Sequence, residues 1–161
     1  MDRALETLIR MTRREFEGPS LLGAAFLPYV KSLPLEVVRS RESYEGYSVW
    51  GIGLHVLFRK WVMLPLLGAG ARPELYPYEE KDWPGPSQPE DAEAWAELLG
   101  RLEAVQGAYI GALEALRPER LEDRIGAWGC TLGEAAEAMC HHDLYHLVQI
   151  RNMGLKNLPS G

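Results

Sequence analysis

The sequence predicts an all-α protein, an antiparallel four-helix bundle. Apolar residues recur at three- and four-residue spacing through most of the chain, as in helices with one buried face. No segment alternates apolar and polar residues convincingly with the two-residue period of a strand, so β-structure should be minor. Because 161 residues suit one domain with a substantial core, we expect a single helical bundle over residues 1–161.

Two amphipathic patterns occupy the first part of the chain. The first consists of Leu5, Leu8, Ile9, Thr12 and Phe16. The second consists of Leu22, Ala25, Phe26, Tyr29 and Leu33. The segment Gly18-Pro19-Ser20 separates them, and Pro28 should kink or shorten the second helix because proline lacks a backbone N–H.

The next helix is predicted to be central and largely buried, because the residues after Ser48 are apolar on nearly every side. Ser48 suits the N-cap position, since its hydroxyl can accept a hydrogen bond from a free N–H of the first turn. The helix should end at about Pro65 or Leu67, because Gly68 and Gly70 follow.

A long connection, residues 71–89, is rich in proline and carries Tyr76, Tyr78 and Trp83. Loops of this length in compact domains are uncommon and are often functional or mobile. An ordered connector held by its aromatic side chains is an equally good interpretation. If the loop is functional, we expect it to line a cleft beside the site described below.

Two further helices complete the bundle. The first starts near the acidic residues Glu90 and Asp91, where the helix dipole favours negative charge, and stops before Pro118. The second starts at Thr131-Leu132-Gly133-Glu134, which matches a capping box, and runs to about Met153 before Gly154.

Composition argues against several classes of protein. The formal net charge is −6 and no basic run is present, which disfavours a nucleic-acid binder. No long uninterrupted apolar stretch and no signal-peptide core are seen, so we expect a cytoplasmic protein that does not enter a membrane. Cys130 and Cys140 are too few for a disulfide scaffold and are interpreted as packing residues.

The four histidines, His55, His141, His142 and His146, are the most informative residues. At about 100° per residue, His142 and His146 share the apolar face of the last helix, whereas His141 points nearly the opposite way. Two buried imidazoles need polar partners, and a metal ion is one way to provide them. The residue after His142 is not glutamate, which argues against an HExxH metalloprotease.

His55 lies midway along the buried central helix. Alone, it would be interpreted as a core histidine with a hydrogen-bonding partner. Together with the inward-facing pair, it becomes the candidate third ligand. Three imidazoles from two helices of a bundle would leave one or more coordination positions open for water or substrate.

Several segments together resemble the DinB/YfiT-like superfamily. They are Ser48-Val49-Trp50 leading into Leu54-His55, then Trp128, Thr131-Leu132-Gly133-Glu134, and His142-Asp143-Leu144-Tyr145-His146-Leu147-Val148-Gln149-Ile150. The resemblance implies an antiparallel four-helix bundle, commonly a homodimer. It also implies that His55, His142 and His146 bind one divalent metal ion, with zinc and nickel as the first candidates.

The resemblance further implies a metal-dependent S-transferase that activates a low-molecular-weight thiol for attack on an electrophilic small molecule. The alternative is a non-catalytic metal-binding protein with a structural or stress-associated role. Metal-assisted hydrolysis ranks third, because no general base is evident beyond Asp143. Tyr145 is interpreted as a packing residue, Gln149 as a helix–helix hydrogen-bonding residue, and Asp143 either as the partner of a basic residue or as a support for the metal site.

Overall fold

The computed structural model describes residues 2–43, 45–84 and 89–153, which form six α-helices and one minimal hairpin. The helices are α1 (Arg3–Phe16), α2 (Phe26–Lys31), α3 (Leu35–Arg39), α4 (Val49–Leu67), α5 (Ala92–Glu114) and α6 (Leu132–Arg151). The strands β1 (Arg124–Ile125) and β2 (Cys130–Thr131) pair antiparallel just before α6. The predicted all-α architecture is therefore confirmed.

The four long helices, α1, α4, α5 and α6, enclose the core, and the neighbouring helices α4 and α5 run in the same direction. Trp50 near the start of α4 lies against Trp95 near the start of α5, with ring centroids 5.3 Å apart. At the other end, Gly68 after α4 lines the same surface groove as Ala115 after α5. A chain that returns to begin a second parallel helix needs a long connection, which accounts for the length of the segment between them.

The helices α1 and α6 run opposite to α4 and α5. Gln149 near the end of α6 contacts Glu45 just before α4 begins. Two contacts place α1 antiparallel to α5, namely Arg13 with Glu114 and Gln106 with Glu17. The bundle is thus antiparallel as two pairs of helices, with α1 and α6 in one direction and α4 and α5 in the other.

The described part of the long connection is an ordered segment held by its aromatic side chains. Tyr76 is buried against Phe58 and stacks on Trp61, whose indole N–H donates to the Arg72 carbonyl oxygen at 2.9 Å. Arg101 of α5 donates to another carbonyl of the same segment. These contacts confirm an ordered connector as far as residue 84, and residues 85–88 lie outside the described ranges.

The predicted helix ends are confirmed at several positions. The Ser48 hydroxyl accepts from the Gly51 N–H at 3.1 Å, and Gly68 closes α4 in the left-handed region with φ of 90°. At the start of α6, Thr131 and Glu134 form the reciprocal capping box. These caps use neighbouring residues only, which is why the sequence alone predicts them.

The second amphipathic pattern differs most from its prediction. It yields only the six-residue α2, because Pro28 near its start and the turn after Lys31 leave little room for a longer helix. A second short helix, α3, begins directly after Pro34 and was not predicted. The last helix ends at Arg151, two residues before the predicted Met153, while Gly154 lies outside the described residues.

The core is continuous through the bundle and brings α4 close to α5. Gly53 faces Leu98, and a β-carbon added at Gly53 would lie 3.4 Å from a Leu98 methyl group, which is van der Waals contact. None of the helices in the described ranges combines the length and apolar character needed to cross a membrane.

Candidate metal centre

The structure brings His55, His142 and His146 together inside the bundle, as predicted. The Nε2 atoms of His55 and His142 lie 2.8 Å apart, and those of His142 and His146 lie 3.1 Å apart. His55 comes from the middle of α4 and the other two from successive turns of α6. The three rings therefore direct the same nitrogen toward one point.

The hydrogen bond of His55 leaves its Nε2 atom with a free lone pair. Its Nδ1 lies 2.7 Å from the backbone carbonyl oxygen of Asp82. A carbonyl oxygen can only accept, so Nδ1 carries the proton. In a neutral imidazole the other nitrogen is then unprotonated, and Nε2 faces the cluster as an acceptor.

His146 has the same tautomer, which is set by a hydrogen bond to Gln149 and by a second one from Gln149 to Glu45. Its Nδ1 lies 2.8 Å from Oε1 of Gln149, while the Gln149 amide nitrogen donates to the carboxylate of Glu45. A carboxylate accepts, so the amide must present its oxygen to His146. Nδ1 of His146 therefore donates, and Nε2 again carries a lone pair toward the cluster.

His142 cannot satisfy both neighbours, which favours a cation at this point. Its Nε2 faces two lone pairs, and a single N–H would serve one of them well. The buried Nδ1 of His142 has no hydrogen-bond partner among the described residues, whichever ring nitrogen carries the proton. A metal ion can accept all three Nε2 lone pairs, whereas one N–H cannot, so the convergence of these atoms fits a divalent ion better than a hydrogen-bonded core.

Comparison with known proteins gives an independent result. The sequence profile of the DinB superfamily matches residues 21–150, which is most of the chain and includes all three histidines. The chain belongs to the DinB superfamily. No curated protein and no solved structure matched it in the same comparisons.

Within this DinB-superfamily chain, burial keeps the three imidazoles neutral. Removal from water lowers the pKa of His142 to about 2 and that of His146 to about 4. It also lowers the pKa of His55, although the Asp82 carbonyl opposes the shift. Because only neutral imidazoles can ligate a metal, the lone pairs are available throughout the physiological pH range.

The DinB-superfamily chain covers one face of the cluster with an aromatic stack that the sequence did not predict. The indole of Trp83 is parallel to the His55 ring at 3.9 Å, with 3° between the planes, and the ring of Tyr47 stacks on Trp83 at 4.0 Å. The aromatic residues of the connection were the available signal: the loop contacts the cluster through Asp82 and Trp83, while the cleft it was expected to line stays a prediction.

Some of the polar residues near the three histidines of this DinB-superfamily member contact the cluster, and others are exposed or paired elsewhere. His141 is exposed, as predicted, and Gln149 forms its hydrogen bonds with His146 and Glu45. Asp143 is fully buried and pairs with the Lys60 ammonium at 2.6 Å, which supports the ion-pair interpretation over a role at the metal. Tyr145 is 59% exposed and so is not a buried packing residue, but its ring contacts His146 edge-on, with centroids 5.1 Å apart.

The two cysteines of this DinB-superfamily chain are free, and Cys140 is buried as expected for a packing residue. Burial raises the pKa of the Cys140 thiol to about 11, so it stays protonated and is a poor nucleophile or ligand. Among the described residues, the group able to hold a metal ion comprises the three histidines with no additional Cys, Asp or Glu.

Proposed function

We propose that His55, His142 and His146 bind one divalent metal ion through their Nε2 atoms. The observation that carries this proposal is the hydrogen bonding of the outer nitrogens of His55 and His146, which leaves lone pairs directed at one point. Three imidazoles accept zinc, nickel, copper and iron alike. Zinc and nickel are the ions to test first.

We further propose that this centre serves a thiol S-transferase. The three-ligand set leaves a coordination position for an external molecule, and His142 is only partly buried. A divalent ion there would supply Lewis acidity, lowering the pKa of a thiol so that its sulfur is nucleophilic at neutral pH. In the overall reaction the sulfur forms a bond to an electrophilic carbon, the leaving group departs with its bonding electrons, and the thiol proton passes to solvent.

A non-catalytic metal-binding role is the alternative, and a separate observation favours it. His55 and His146 are almost completely buried, and Trp83 covers one ring face of His55. A site enclosed in this way would stabilise the bundle by joining α4 to α6 without turning over a substrate. The two proposals share the same metal ligands and differ in whether an external molecule can reach the bound ion.

The transferase proposal predicts metal-dependent thiol alkylation. Zinc- or nickel-loaded protein should accelerate the reaction of 3-mercaptopropionate or 2-mercaptoethanol with monobromobimane at least tenfold over metal-free protein, followed by fluorescence, since nucleophile activation and positioning commonly contribute factors of this size or more. His142→Ala should react at the background rate, and His141→Ala, with the neighbouring exposed histidine changed, should match the unmodified protein. Equal alkylation rates with metal-loaded and metal-free protein would contradict the transferase proposal and favour the non-catalytic role.

A further inference from the structure

Arg59 places an available positive charge beside the histidine cluster. It lies one helical turn after His55 on α4, and its side chain is 30% exposed. Its guanidinium Nη1 is 3.7 Å from Oδ1 of Asp82, and the same oxygen is 3.3 Å from Nδ1 of His55. Asp82 thus lies between the cation and the candidate metal ligand.

The Arg59 guanidinium contacts an aromatic ring and has N–H groups without a hydrogen-bond acceptor in the described part of the chain. Its central carbon lies 5.4 Å from the ring centroid of Trp128, within the range of a cation–π contact. An arginine carries five N–H donors, and the Asp82 contact is longer than a hydrogen bond. Among the described residues, the Arg59 guanidinium contacts Asp82 and Trp128, neither of them within hydrogen-bond distance.

Arg59 is also close enough to influence the histidines. Its positive charge contributes, after burial, to the lowered pKa of both His55 and His142. A divalent ion on the histidines would add two positive charges next to this guanidinium, with the Asp82 carboxylate offsetting one. The combined field would attract a small anion toward the histidine cluster.

We propose that Arg59 recognises a carboxylate on the small molecule whose thiol binds at the candidate metal centre. The planar N–H fork of arginine matches a carboxylate in two parallel hydrogen bonds. Asp82 beside it repels any anion, and repels a doubly charged phosphate about twice as strongly as a singly charged carboxylate. The substrate class is therefore an anionic mercaptocarboxylate, an inference that rests on the proposed function.

The test compares a charged thiol with a neutral one. Calorimetric titration of zinc-loaded protein should show 3-mercaptopropionate binding about 10- to 100-fold more tightly than 2-mercaptoethanol, the range expected for charge-assisted hydrogen bonds. Arg59→Gln should abolish this preference and leave binding of 2-mercaptoethanol within about twofold. Arg59→Lys should retain part of it, and Arg10→Gln, which changes an exposed arginine on α1, should retain all of it.

The outcomes separate this inference from the transferase proposal. An undiminished preference in Arg59→Gln would overturn the role of Arg59 while leaving thiol binding intact. If neither thiol binds, the transferase proposal fails, and titration with succinate then decides the anion site. Succinate binding that Arg59→Gln weakens at least tenfold would support carboxylate recognition by Arg59, whereas no succinate binding would overturn it.

Discussion

Replacing Lys60 with methionine should lower the free energy of unfolding by about 3–5 kcal/mol, the cost of leaving one member of a buried ion pair without its partner. Lys60 on α4 and Asp143 on α6 are both fully buried and form a 2.6 Å contact. Burial raises the pKa of Asp143, and the Lys60 ammonium opposes that rise. Chemical denaturation of the metal-free protein would measure the loss.

The double variant Lys60→Met/Asp143→Leu provides the control for that prediction. Apolar replacements of similar volume often restore the stability lost when only one charge is removed. The double variant should therefore be within about 1–2 kcal/mol of the unmodified protein. A Lys60→Met protein as stable as the unmodified chain would show that the pair does not join α4 to α6.

Acidification should destabilise the metal-free protein well before its carboxylates titrate. The pKa values of His142 and His146 are lowered in the folded state, so the unfolded chain binds more protons below the ordinary histidine pKa of about 6.5. Their contribution to stability is complete above that pH and is lost as the pH falls. At pH 5.5 each should have lost about 1.4 kcal/mol, or about 3 kcal/mol together, relative to pH 8.

Denaturation in the presence of a chelator at a series of pH values would measure this dependence. His142→Gln/His146→Gln should show a much flatter profile between pH 8 and 5.5. His141→Gln should retain the full dependence, because His141 is exposed and lies outside the cluster. A steep profile that persists in the double variant would mean that other groups control the acid sensitivity.

Local features of the sequence predicted most of the fold and all three candidate ligands. Helix caps such as Ser48 and the Thr131–Glu134 box depend on residues within one turn, and the spacing of His142 and His146 fixes their shared face. The third ligand, His55, became a candidate only together with that inward-facing pair, because a single histidine in an apolar helix is interpreted as a core residue with a hydrogen-bonding partner.

Contacts between distant segments could not be predicted in the same way. Lys60 was visible as a charge in an apolar stretch, but its partner Asp143 lies 83 residues further along the chain. The stacking of Trp83 on His55 likewise depends on how the long connection crosses the bundle. The parallel arrangement of α4 and α5 follows from that same crossing, which hydrophobic periodicity does not specify.

Metal binding by the three histidines underlies both proposed functions and can be measured directly. Elemental analysis of protein prepared without a histidine tag and incubated with zinc or nickel should find about one ion per chain, as for a mononuclear three-histidine site. His142→Ala/His146→Ala should retain almost none, and His141→Ala should retain all of it. No bound ion in the unmodified protein, or equal binding in the double variant, would contradict the account.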